Sequence, residues 1–208
     1  ENKIRVIQAL KIDPNNIYDV WQVHSADVVY TVNPRLADES YIKADIIITD
    51  KPDLTLFMRF ADCVPLFLYD PIWHAIGIGH AGWQGTIQNV AGVMVKAMVS
   101  QFGSHPEDLL AAIGPAICRQ HYPVGKDIYD RFKLITDDDE GNGLYTKENL
   151  YHLDLKLINE NQFKQAGIKK VENSGICTAC EPDLWFSHRR DSGQTGRFGA
   201  FLRLVDPK

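Results

Sequence analysis

Phe60-Ala-Asp-Cys-Val-Pro-Leu-Phe-Leu-Tyr-Asp-Pro-Ile-Trp-His-Ala-Ile-Gly-Ile-Gly-His-Ala-Gly-Trp-Gln-Gly-Thr86 carries the reading of the fold. Two apolar runs, Val64 to Tyr69 and His74 to Gly79, flank the turn-forming pair Asp70-Pro71. Short runs of this kind, bounded by turn formers, read as buried strands. Past the glycine-rich turn Ala81 to Gly85, apolar residues recur from Ile87 through Val90, Met94 and Met98 to Phe102, and Gly103 supplies a stop. That spacing is one face of a long helix. A strand pair feeding a helix predicts a layered α/β protein.

Working outward, strand-like runs precede this stretch at Ile17 to Val23, Val28 to Val32, Ala44 to Thr49 and Leu54 to Phe60, separated by turn formers such as Asn33-Pro34. Downstream, a strand fits Leu109 to Ile113 and helices fit Asp127 to Leu134 and Leu153 to Ala166. Val171 to Ile176 and Ala200 to Val205 return to the sheet, and the acidic stretch Asp137 to Gly143 reads as a solvated loop. With no internal repeat, residues 1–208 are expected to form a single layered mixed α/β domain.

A formal net charge of -5 leaves no basic footprint for a phosphate backbone, so nucleic acid is not the expected partner. No apolar run approaches the roughly 20 residues that cross a bilayer, and the charged opening Glu1 to Arg5 is unlike a signal peptide. The expectation is a cytoplasmic protein with no membrane partner. The four cysteines, at 63, 118, 177 and 180, are too few and too uneven for a disulfide scaffold and read as reduced thiols.

Cys63 heads an apolar strand, where it is either a small core residue or a group at a sheet end. His80 closes the next strand between glycines, as a packing residue or as a group that a ligand approaches. If the two strands pair as a hairpin, Cys63 and His80 meet. His24 follows the strand-like Val20-Trp-Gln-Val23 at another strand end. Two histidines and a thiolate are the ligand set of an open zinc site, although the spacing of His24, Cys63 and His80 does not by itself bring them together. A helix beginning near Gly85 and Thr86 would aim free N–H groups at the same place, as an anion site.

Two other segments carry chemistry-bearing residues. Cys177-Thr-Ala-Cys180 has the spacing of half a zinc site, but His188 is the only further ligand the sequence suggests for it. A pair of turn cysteines is the competing reading. The segment from Trp185 to Arg197 holds Arg189, Arg190 and Arg197 among turn formers, and reads either as a solvated loop or as guanidinium forks for phosphate. Asp62 is a candidate proton carrier.

Together these segments resemble the family first called polyphenol oxidoreductase laccases, which includes the YfiH and YlmD proteins and the laccase-domain-containing protein of animals. The resemblance rests on Trp21-Gln-Val-His24, Ala61-Asp-Cys-Val-Pro65, His80-Ala-Gly-Trp-Gln-Gly-Thr86, Tyr122-Pro-Val-Gly125 and Phe186-Ser-His-Arg-Arg-Asp191 through Arg197, in family order. It implies a zinc ion held by His24, Cys63 and His80, which are also the catalytic centre. It further implies phosphorolysis of adenosine, inosine and S-methyl-5′-thioadenosine, adenosine deamination, and a fold related to cytotoxic necrotizing factor toxins. Purine nucleoside and phosphate are then the expected partners, with Arg189, Arg190, Gly85 and Thr86 as substrate-binding candidates. Gln84, Ser25 and Phe60 stand where the family more often has arginine, glycine and threonine, and the family's opening Phe-Thr-Thr-Arg and glycine-rich segment is not in the sequence.

Three other functions are compatible with parts of this pattern. A cysteine hydrolase would use Cys63 as nucleophile with His80 or His24 as base. Copper is the alternative metal, for phenol oxidation, but the sequence has seven histidines and no His-x-His pair, a poor supply for a multicopper site. A non-catalytic metal-binding partner protein is the third.

Overall fold

The computed structural model describes residues 2–136 and 140–205. Its first half runs through α1 (Asn2–Ala9), β1 (Ile17–Asp19), β2 (Val28–Tyr30), β3 (Ile46–Thr49), β4 (Thr55–Phe60), β5 (Val64–Asp70) and β6 (Ala75–Ala81). Next come α2 (Trp83–Ile87), α3 (Val90–Phe102), β7 (Leu110–Ile113), β8 (Pro123–Val124) and α4 (Lys126–Phe132). The remainder is β9 (Leu144–Lys147), β10 (Leu150–Leu153), α5 (Leu155–Gln165), β11 (Lys170–Asn173) and β12 (Phe198–Arg203).

Ile46, Ile47 and Ile48 are all buried, although neighbours on a strand point to opposite faces. Their sheet is therefore covered on both sides. It has six strands in the order β11-β7-β5-β6-β3-β2. Ile46 and Ile48 join Leu66, Leu68 and the α3 residues Met94 and Met98 in one core. Ile47 and Ile78 face the other way, against Leu56, Met58 and Phe60 of a three-stranded sheet β1-β4-β12. Helices, large sheet and small sheet form three layers, the mixed α/β architecture the sequence predicts. β5 and β6 pair antiparallel, with Pro65 opposite His80 and Val64 opposite Ala81, as the hairpin reading requires.

Two local features differ from expectation. The helix after the glycine-rich turn is broken: Asn89 takes left-handed backbone at φ 58 and caps α3 by accepting from the Gly92 N–H. An asparagine side chain tolerates that conformation and supplies the cap, so α2 ends where α3 begins. The β9–β10 hairpin carries no local sequence signal, and its turn residues Glu148 and Asn149 have φ of 52 and 64. Both being positive is the geometry of a two-residue hairpin turn, but glutamate in the first position hides the usual signal. Part of the expected acidic loop, residues 137–139, lies outside the described residues.

The register places six chain segments at one end of the large sheet. Cys63 precedes β5 and His80 lies near the end of β6, while Asp45 precedes β3, antiparallel to β6. The segments after β7 and β11 leave from the same end, since Ile113 pairs with Leu66 and with Asn173. The segment before β2, which carries His24, arrives there too, with Val28 opposite Ile46.

Ile47 and Ile78 are register partners on neighbouring strands of the large sheet, each fully buried against the small one. Ile47→Ala should cost about 2–5 kcal/mol through the cavity it leaves. The loss should appear as a lower urea midpoint at unchanged m-value; a change under 1 kcal/mol, roughly the scale of a surface substitution, would contradict this packing.

Candidate metal centre and cleft

His80 is buried at the end of β6, and its Nδ1 donates to Asp45 Oδ1 at 2.7 Å. The other Asp45 oxygen accepts from the backbone N–H of Val23 at 3.0 Å and of Ser25 at 2.7 Å, and from the Ser25 hydroxyl at 3.2 Å. These bonds clamp the loop between β1 and β2 around His24, whose backbone is left-handed at φ 62. Such a conformation costs roughly 1–3 kcal/mol in a non-glycine residue, and the Asp45 bonds on both sides hold it in place. Ser25 is the serine found where the family more often has glycine, and its hydroxyl has work in this clamp.

The clamp brings His24 to the hairpin. His24 Nε2 lies 4.0 Å from Cys63 Sγ, and the His24 and His80 ring centroids are 5.0 Å apart. One ligand atom from each of His24, Cys63 and His80 lies within 4.8 Å of the others. A tetrahedral zinc with bonds of about 2.0–2.3 Å holds its ligands roughly 3.3–3.8 Å apart, so a small inward movement of the exposed His24 completes the set. The donor types fit a borderline-soft divalent metal, and Asp45 on Nδ1 leaves His80 Nε2 as the ligand atom. Gly82 keeps the space clear: a Cβ there would lie 2.9 Å from Cys63 Sγ and 3.2 Å from His24 Cδ2.

Electrostatics tune the same group. Burial opposes the Cys63 thiolate, but the charge of His80 and hydrogen bonding from His24 and His80 outweigh it and bring the thiol down to about 6. Burial likewise opposes the His80 imidazolium, yet the Cys63 thiolate and Asp45 raise it to about 9. Asp45 itself is held below its ordinary value, because the bonds from His80 and Ser25 overcome its burial.

These groups sit on the wall of a cleft of about 820 Å³. Trp21, Tyr122, Gln84, His188, Arg189 and Arg197 also line it. Arg189 is fixed from two sides: its backbone N–H donates to Asp62 Oδ2 at 2.6 Å and its Nη1 to the Pro123 carbonyl at 2.5 Å, with the guanidinium 4.7 Å from the Tyr122 ring centroid. A guanidinium has five donors, and the Pro123 carbonyl takes one.

Other candidates are placed elsewhere. Arg190 turns from the cleft to Asp191 and to the carbonyls of Thr178 and Trp185, so it braces its loop. α2 begins at Trp83, not near Thr86, and the Thr86 N–H already donates to the Gly82 carbonyl. Gly85 and Thr86 are buried behind the wall, where the Thr86 hydroxyl accepts from Asn159, and a five-residue helix leaves no anion site at their position. Asp62 has both carboxylate oxygens engaged, by the Thr178 hydroxyl and the Arg189 N–H, and so anchors a loop. His188 lies on the cleft, not beside Cys177 and Cys180. Those two instead meet Cys118 and His121, so the pair is not short of ligands. Cys118-x-x-His121 repeats the two-residue gap of Cys177-x-x-Cys180, the signal that sequence reading passed over. Asp45 had no such signal, being one carboxylate at the head of an apolar strand.

The family model for multi-copper polyphenol oxidoreductase laccase matches residues 1–205. The chain belongs to this family. Purine nucleoside phosphorylase YlmD of Bacillus subtilis is 39% identical over 78% of this chain and 59% of its own length. A purine nucleoside phosphorylase of Deinococcus radiodurans is 36% identical over 98% of this chain and 76% of its own. The chain thus spans well under the full length of these relatives, less than two thirds of the first. Among solved structures, YlmD from Geobacillus stearothermophilus superposes with a TM-score of 0.91 at 32% identity, covering 99% of this chain and 79% of that one. The Bacillus licheniformis hypothetical protein YfiH gives 0.90 at 37% identity, covering 98% and 79%.

In protein stripped of metal by chelation, iodoacetamide should alkylate Cys63 with a half-maximal rate near pH 6, followed by peptide mass spectrometry. Asp45→Asn removes the carboxylate that keeps His80 protonated, so His80 loses its proton at lower pH and the Cys63 profile moves to higher pH. The same substitution should weaken zinc binding roughly 10- to 100-fold. An unchanged alkylation profile together with unchanged zinc affinity would remove Asp45 from the site.

Proposed function

We propose that the protein is a zinc-dependent purine nucleoside phosphorylase acting on adenosine, inosine and S-methyl-5′-thioadenosine, with adenosine deamination as a second activity of the same site. One observation carries this reading: His24, Cys63 and His80 meet on the wall of a cleft that also presents arginines and aromatic rings. Three protein ligands facing open space are the arrangement of a catalytic metal, whereas a structural one is closed by four. The relatives' printed names supply the substrate class, and they are the names of those proteins.

His24, Cys63 and His80 would hold the ion. When bound, zinc supplies Lewis acidity toward an oxygen of substrate or water. The protein's own groups do the rest. Phosphorolysis breaks the bond between C1′ and the purine nitrogen and forms one between C1′ and a phosphate oxygen. The base leaves with the electron pair and takes up a proton. Arg189, fixed by Asp62 and the Pro123 carbonyl, offers donors in a planar fork suited to phosphate. Exposed Trp21 and the buried Tyr122 ring give the cleft apolar faces for a purine. Asp45 keeps His80 oriented and its Nδ1 protonated through the cycle.

Cys63→Ala should lose the zinc of the cleft and phosphorolysis together, measured by elemental analysis and by chromatography of adenosine with and without phosphate. Full metal occupancy with lost turnover would make Cys63 a nucleophile instead. Release of adenine only when phosphate is present supports phosphorolysis; conversion to inosine without phosphate reports deamination; no turnover of any nucleoside refutes the reading.

Arg189→Ala should raise the phosphate KM on the order of 10- to 100-fold, the worth of one or two charge-assisted hydrogen bonds, with zinc content unchanged. Arg189→Lys should rescue part of it. Arg190→Ala should lower thermal stability and leave the phosphate KM near wild type, and the opposite assignment of the two arginines would overturn this placement.

A further inference from the structure

We infer that Cys118, His121, Cys177 and Cys180 form a second metal site, a closed structural zinc site separate from the cleft. The inference depends on no assumption about the substrate.

The topology builds the site. β7 and β11 lie side by side and parallel, so the segments that leave their ends travel together. A parallel bridge between Ala116 and Cys177 continues the pairing beyond both strands. The first segment then makes a single 3-10 turn, Arg119–His121, with Cys118 at its head. The second makes the Cys177–Cys180 turn opposite. Each delivers two ligands two residues apart, the spacing used where a turn grips a zinc ion.

The distances match the metal. Cys118 Sγ lies 3.4 Å from His121 Nδ1 and 4.0 Å from Cys180 Sγ. His121 Nδ1 lies 3.5 Å from Cys180 Sγ and 3.9 Å from Cys177 Sγ. Zinc bonds of about 2.3 Å to sulfur and 2.0–2.1 Å to nitrogen place tetrahedral ligands roughly 3.5–3.8 Å apart. Four donor atoms, all within 4.8 Å of one another, therefore already surround a point of the right size. The Cys118 backbone N–H donates to Cys177 Sγ at 3.2 Å, an outer bond of the kind that steadies a thiolate ligand.

A divalent ion would take all three thiols as thiolates and give the four converging donor atoms one common partner. A disulfide between one pair would use two sulfurs and leave the imidazole and third thiol without a reason to converge.

The site has a structural consequence for the cleft. Tyr122, next to His121, lines the cleft, and Thr178, within the Cys177–Cys180 turn, holds the Asp62 carboxylate that fixes Arg189. The metal would thus pin together two loops that form one wall.

Elemental analysis of purified, zinc-replete protein should find two zinc equivalents per chain. Cys63→Ala and Cys180→Ser should each retain one, and the double variant none. Cys118, Cys177 and Cys180 should resist iodoacetamide until a chelator is added, with no reductant needed. If Cys180→Ser fails to fold, cobalt replacement in the Cys63→Ala protein decides: thiolate-to-cobalt charge-transfer absorption must persist, since only this cluster still offers thiolates. One equivalent that vanishes in Cys63→Ala, absence of that absorption, or alkylation that needs reductant rather than chelator would each overturn the inference.

Discussion

The carboxylate of Asp45 accepts from a side chain on β6 with one oxygen and from the loop around His24 with the other. Its own backbone carbonyl accepts the His80 N–H at 2.8 Å. A fully buried carboxylate is costly unless every lone pair has a partner. Satisfying this one forces the chain before β2, the head of β3 and the end of β6 into a single arrangement. The left-handed backbone of His24, its approach to Cys63 and the bare Gly82 between them all depend on that arrangement.

A second carboxylate organises the other side of the cleft. Asp62, at φ 86, stands between Phe60 and Cys63 and receives the Thr178 hydroxyl and the Arg189 N–H, while its carbonyl accepts from Ile117. It joins the strand crossing between the two sheets to the segments that follow β7 and β11. The cleft is therefore built from two buried acids, each holding a loop that carries a cation or a residue of the metal-capable cluster. Neither acid needs to touch substrate to decide where those groups stand.

How much of this was legible in the sequence follows from the range of the signals. Strand and helix periodicity is local, and the hairpin of β5 and β6 with its glycine-rich exit was readable from residues 60 to 86 alone. His24, Cys63 and His80 stood out because a histidine or thiol at a strand end among small residues is unusual. Asp45 and Asp62 did not, since a single acid beside an apolar run looks the same whether it caps a turn or holds a site. Arg189 and Arg190 are neighbours with opposite fates, decided by partners as distant in sequence as Asp62 and Pro123. Cys118 and His121 join Cys177 and Cys180 only because β7 and β11 are parallel neighbours, a pairing that no local pattern encodes.

The crowding of functional segments at one end of the large sheet leaves the opposite end with a different character. The turn between β5 and β6 exposes Ile72 and Trp73, and β5 is seven residues long, so about 20 Å of strand separates it from Cys63. Asp70 closes that turn by accepting the Ile72 and Trp73 N–H groups, without reaching any residue of the cleft. The molecule thus offers a natural attachment point: a fluorophore, surface tether or fused domain carried there would sit at the far end of the strands from the cleft.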